Sequence, residues 1–149
     1  QIRESTQGVL SAAGDNGQLR STLLYWNETS GDFRGARDIG SYTSSGPPTA
    51  FGEQLNETFG TDMAYNVDIH YRTPSGDRET RTLVNFGTPA DNAVAVSRVV
   101  TLYDDDTLLA ADGSTGAELS ATETYFAEDI APGRPLYNVV EVEVIVWQI

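Results

Sequence analysis

Apolar and polar residues alternate with period two along the stretch from Tyr137 to Ile149. Val140, Val142, Val144 and Val146 fall on one face, and Glu141 and Glu143 on the other. That is the pattern of a half-buried strand. Beyond Glu143 the second face also turns apolar, at Ile145, Trp147 and Ile149. A central strand is predicted, its last third covered on both sides. The same alternation runs from Tyr65 through Val67 and Ile69 to Tyr71, against Asn66, Asp68, His70 and Arg72. Thr73-Pro74-Ser75-Gly76-Asp77 reads as a turn, and Glu79 to Phe86 as the returning partner of a hairpin. After a second turn at 87–92, Ala93 to Tyr103 places Val94, Val96, Val100 and Leu102 on one face. The predicted strands are therefore 63–72, 79–86, 93–103 and 137–149.

The first sixty residues follow a helical period instead. Ile2, Thr6, Val9, Leu10 and Ala13 share one side of a helix over 2–13, with Arg3, Glu4 and Gln7 opposite. Gly14-Asp15-Asn16-Gly17 ends it. Asn16 can cap a second helix running from Gly17 to about Trp26, with Leu19, Leu23 and Trp26 on one face. Residues 27–48 are rich in Gly, Ser, Thr and Asp and read as a surface loop, with a short strand near Gly40 to Tyr42. Pro47-Pro48-Thr49 opens a third helix, about Ala50 to Phe59, that buries Phe51, Leu55 and Phe59 and stops at Gly60. An acidic connection from Asp104 to Leu136 completes the chain, and its length predicts a functional or partly mobile segment. Together these elements predict an α+β fold: N-terminal helices packed on an antiparallel β-sheet of about four strands. It is a single domain, 1–149, mainly helix and loop over 1–60 and sheet over 61–149.

Composition changes this picture in one respect. The net charge is −13, from 22 acidic against 9 basic residues, and every basic residue is arginine. An acidic surface without lysine suits molar salt, where the Debye length falls to about 3 Å and self-repulsion is screened. Carboxylates hold water and cations, and removing lysine takes long apolar stems off the surface. A halophilic source is predicted. The acidity argues against nucleic acid and against anionic lipid. Cysteine is absent, so there is no disulfide framework. No apolar run reaches the length of a spanning helix. Because the chain begins at Gln1, a processed or removed upstream segment is expected.

Candidate chemistry is sparse. Asp104, Asp105, Asp106 and Asp112 form the densest oxygen-rich stretch and are the weak candidates for a metal site. They lack the alternate ligand spacing and twelfth-position glutamate of an EF-hand. In a chain this acidic they read first as a solvated face. His70 is the sole histidine and lacks the partners of a triad or zinc site. Glu141 and Glu143, about 7 Å apart by strand rise, could serve glycosidic chemistry, but they read better as an exposed strand face opposite arginines. Gly113-Ser114-Thr115-Gly116 lacks the lysine of a phosphate loop. Asn27-Glu28-Thr29 and Asn56-Glu57-Thr58 match the N-glycosylation pattern. With this composition chance alone supplies about 1.3 matches. Asn27, at a helix end entering a loop, suits modification better than Asn56 within a predicted helix.

Four stretches carry a family resemblance together: Leu23-Leu24-Tyr25-Trp26, Phe86-Gly87-Thr88-Pro89-Ala90-Asp91-Asn92-Ala93-Val94, Val100-Thr101-Leu102-Tyr103-Asp104-Asp105, and Leu136-Tyr137-Asn138-Val139-Val140-Glu141-Val142-Glu143-Val144. They resemble an uncharacterised family of haloarchaeal surface proteins that look like type IV pilins. Such proteins have a short leader, one apolar N-terminal helix and a small acidic extracellular domain. The resemblance implies a pilin-head-like fold and an extracellular, cell-surface location. It further implies membrane attachment or filament association through the apolar helix, of which residues 2–13 would be the end. It also implies self-assembly or contact with other pilin-like subunits. It supplies no catalytic residues and no cofactor. The expected function is therefore non-enzymatic assembly or adhesion, with the first helix and the acidic stretch 104–136 as contact surfaces. The alternatives are a soluble extracellular binding module, which requires a concave apolar pocket, and a halophilic cytosolic enzyme using Glu141, Glu143 or Asp68, which requires a deep cleft.

Overall fold

The computed structural model describes residues 2–36, 40–43 and 45–149. Helix α1, Ile2–Asp15, buries Thr6, Val9, Leu10 and Ala13, as its period predicts. Gly17 follows in the left-handed region at φ +81°, which redirects the chain into α2, Gln18–Leu23. The Asn16 Oδ1 accepts the Gln18 amide at 2.9 Å, although Gly17 occupies the cap position itself. Helix α2 ends before Trp26. That indole instead opens strand β1, Trp26–Asn27, which pairs with β2, Asp32–Phe33. Trp26 meets Phe33 edge-on at 5.0 Å, and Tyr125 and Phe126 complete the cluster. Aromatic packing thus outweighs the helical period at this point.

The expected loop at 27–48 begins with this hairpin; residues 37–39 and 44 of it lie outside the described residues. Where the short strand is expected near Gly40 to Tyr42, the described residues show a parallel bridge from Tyr42 to Val84. Helix α3, Ala50–Phe59, is capped by the Thr49 side chain, which accepts the Gly52 amide, and buries Phe51, Leu55 and Phe59.

Strands β3 (Met63–Arg72), β4 (Arg78–Asn85), β5 (Val94–Tyr103) and β8 (Leu136–Gln148) form one antiparallel sheet in the order β4-β3-β8-β5. The α+β architecture read from the sequence is the one observed. Strand β8 lies between β3 and β5, as its two-sided apolar pattern demands. Its valines at 140, 142, 144 and 146 are sealed under the helices with Val67 and Ile69. Each contributes about 1.5–3 kcal/mol by burial. The opposite face is covered only in part: Trp147 is 7% exposed, but Ile149 is 85% exposed, contrary to the expected two-sided cover.

Strand β5 is a free edge, and arginines from the helical layer occupy its outward carbonyls. Arg3 donates to the Ala95 carbonyl at 3.3 Å, and Arg20 to that of Thr101 at 2.5 Å. Capping an edge in this way blunts it against further pairing.

The acidic connection 104–136, expected from its length to be functional or partly mobile, carries regular structure and is anchored to the core at a few points, while much of its length is exposed. It contains β6 (Thr107–Leu109), β7 (Thr115–Glu118) and a 3-10 turn at Leu119–Ala121. Leu108, Leu119, Tyr125 and Ala127 are buried in the common core. The Leu109 amide donates to the Leu24 carbonyl, the Ile130 amide to that of Tyr137, and the Asn138 amide group to that of Glu128. A handful of well-spaced apolar anchors holds an otherwise acidic segment.

Candidate interaction face

The helices cover one face of the sheet and leave the other open. On β3, alternation sends Asp68, His70 and Arg72 to the open side; on β8 it sends Val139, Glu141 and Glu143 there. These groups pair with one another across strands. The Thr82 hydroxyl donates to Asp68 at 3.0 Å. His70 Nε2 meets Glu143 Oε1 at 2.9 Å, and its Nδ1 meets the Thr80 hydroxyl at 2.8 Å. A carboxylate only accepts, so Nε2 carries the proton facing Glu143. Arg78 donates to Glu141 at 2.6 Å, and Ser97 to the other oxygen of the same carboxylate at 3.2 Å.

Glu141 thus meets an arginine, as expected, whereas Glu143 meets histidine. Each pair is partly exposed, and such pairs contribute about 0–1 kcal/mol. Beside them stand two bare aliphatic side chains, Val99 at 57% and Val139 at 37% exposure. Val99 lies opposite Glu141, and Val139 opposite Thr101, so the two are diagonal neighbours on this face. A groove of about 300 Å³ runs along them, bordered by His70, Arg72, Arg78 and Glu141. Apolar contact surface within a rim of satisfied polar groups is the anatomy of a protein–protein contact. The three carboxylates considered for catalysis, Asp68, Glu141 and Glu143, share this surface, each accepting from a neighbour.

The structure disperses the aspartates that the sequence groups. Asp106 accepts from the Tyr103 amide at 2.8 Å and from Arg20 at 2.9 Å. Asp112 accepts from the Ser114 hydroxyl and amide, which hold its carboxyl below the usual range. Asp104 has one carboxylate oxygen closed off from solvent; partial burial, then the charge of Asp129, raises its pKa. Asp105 is exposed. Among the described residues there is no cluster of three metal-ligating side chains.

The two asparagine motifs differ. Asn27 sits at the start of the β1–β2 turn, where its Oδ1 accepts the Thr29 and Ser30 amides at 2.9 and 3.3 Å. Asn56 lies inside α3 and accepts the Tyr65 hydroxyl at 2.7 Å. Sequence reasoning missed the pairing of Val99 with Val139 on the open face. Their shared side follows only once the register of β5 on β8 is known.

The family model described as a family of unknown function, DUF7288, matches residues 1–146, so the chain belongs to that family. No curated protein and no solved structure matches it.

Proposed function

We propose that this member of a family of unknown function is the non-enzymatic, extracellular, pilin-like domain of a halophile's surface protein, working in assembly or adhesion by surface contact. The observation that carries the reading is the open sheet face. Bare aliphatic side chains, Val99 and Val139, stand there among charges that already satisfy one another. A catalytic site needs polar groups converging in a concavity, with pKa values set for proton transfer. The carboxylates here lie along a shallow surface instead. In this reading the domain is held at the cell surface through an upstream apolar helix and meets copies of itself or related subunits.

Two measurements test this. The native gene is expected to encode, upstream of Gln1, an apolar run of about 20 residues behind a short basic leader. Protease treatment of intact cells is expected to release the domain. A start codon directly before Gln1, with the protein retained inside protease-treated cells, would overturn the reading.

A further inference from the structure

We infer that Asn27 carries an N-linked glycan and that Asn56, in the second Asn-Xaa-Thr triplet, does not. The inference rests on the surface reading, because this modification belongs to surface loops of exported chains.

Composition can supply such triplets by chance, so the two are told apart by where the fold puts them. Asn27-Glu28-Thr29 runs from the end of β1 into the turn before β2. Glu28, Thr29 and Ser30 are exposed. The Gly31 amide donates to the Asn27 carbonyl at 2.8 Å and closes the turn, and the Thr124 hydroxyl donates to the Glu28 carbonyl at 2.9 Å. The two ends of the Asn27 amide are used differently. Its Oδ1 accepts the Thr29 and Ser30 amides, while its Nδ2 bonds to none of the described residues. The first of these bonds draws the Asn27 side chain onto Thr29, whose hydroxyl completes the acceptor pattern and is also unbonded among the described residues.

The reaction uses the free end. Nδ2 attacks C1 of a lipid-phosphate-linked sugar held by a membrane transferase. The C1–O bond breaks, a C1–N bond forms, one Nδ2 proton passes to a base of the transferase, and the lipid phosphate leaves. Oδ1 remains an acceptor in the product, so both turn bonds survive the modification.

Asn56 is exposed as well, so exposure does not separate the two sites. Backbone conformation does. Asn56-Glu57-Thr58 lies inside α3, where residues two apart point about 200° away from each other. A transferase cannot engage the Asn56 amide and the Thr58 hydroxyl from one side unless α3 unwinds. Unwinding would strip Phe51, Leu55 and Phe59 from the core. Both groups are also engaged already: Asn56 accepts the Tyr65 hydroxyl at 2.7 Å, and Thr58 accepts Gln54 Nε2 at 3.4 Å.

The test is peptide mass spectrometry of the full-length protein recovered from its native cells, with surface exposure checked by external protease. Cleavage after arginine puts Asn27 on the peptide 21–34 and Asn56 on 38–72. The 21–34 peptide is expected to carry added sugar mass, and 38–72 to have its sequence mass. Asn27→Gln should lose the modification. Thr29→Ala should lose it too while keeping the asparagine and its turn bonds, and Thr29→Ser should retain it. Asn56→Gln should leave it unchanged. An unmodified 21–34 peptide in protein that external protease reaches overturns the inference and leaves the surface reading standing. Sugar on 38–72, or added mass on 21–34 that survives Thr29→Ala, also overturns it. Unmodified protein that stays inside protease-treated cells overturns both the inference and the surface reading.

Discussion

Tyr125 donates its hydroxyl to the Leu23 carbonyl at 2.6 Å, inside the aromatic cluster where the connection 104–136 meets α2. Burial raises its pKa far above the ordinary phenol value. Tyr125→Phe keeps the ring and leaves a buried carbonyl without its donor. The expected cost is about 1–3 kcal/mol, read as a lower urea midpoint at unchanged slope. Tyr137 repeats the device on the Ala127 carbonyl at 2.6 Å, and its pKa is pushed up to about 12, first by burial and then by the nearby Asp129 charge. The folded value exceeds the unfolded one, so the phenol's contribution is complete below about pH 10 and is lost as pH rises through the folded value. Stability should therefore fall between about pH 10 and 12. In Tyr137→Phe that fall should be shallower by up to about 1.4 kcal/mol per pH unit. Equal slopes would show that Tyr137 ionises as freely in the fold as outside it.

At the scale of elements, what was legible in the sequence follows from how local each cause is. Strand β8 announces itself because four valines two apart can serve only a strand with a buried face. Helix α3 is equally readable, since Thr49, the Phe51–Leu55–Phe59 stripe and Gly60 all lie within twelve residues. The end of α2 is not readable, because what stops it is Trp26 turning toward Phe33 and Tyr125, the latter about a hundred residues away. The connection 104–136 misleads for a related reason. Its length and its acidic residues draw the eye, while its position is fixed by Leu108, Leu119 and Tyr125. The open face was half legible: alternation exposed Glu141 and Glu143, but only register could bring Arg78 and His70 to them.

Close approach at the start of α3 gives a prediction of the same scale. A Cβ on Gly52 would lie 1.8 Å from the Pro47 carbonyl oxygen, a backbone atom that cannot rotate away. Alanine favours a helix over glycine by about 1 kcal/mol in an open position. Here the clash should outweigh that gain, so Gly52→Ala is expected to lower the melting temperature. A higher one would mean that the Pro47-Pro48 turn yields to the methyl group.

For the whole molecule the governing quantity is the charge. Four arginine–carboxylate ion pairs among the described residues, at 2.6–2.9 Å, engage few of the 22 carboxylates. The remaining acids repel one another over distances comparable to the Debye length, which shrinks from about 10 Å at 0.1 M salt to about 3 Å at 1 M. Contact pairs shorter than 3 Å lose little in that change, whereas repulsion between separated carboxylates is largely removed. The unfolded chain carries the same charge on a larger volume and repels itself less, so screening favours the fold. Melting temperature should therefore rise as KCl increases from about 0.1 M to 1 M and approach a plateau once the Debye length falls below carboxylate spacing. Potassium sulfate at equal ionic strength separates screening from general salting-out, because sulfate strengthens apolar burial as well. A halophilic domain gains most of its stabilisation from chloride alone. If the melting temperature is the same at both chloride concentrations, the lysine-free acidic surface is not an adaptation to salt, and the case for a halophilic source fails.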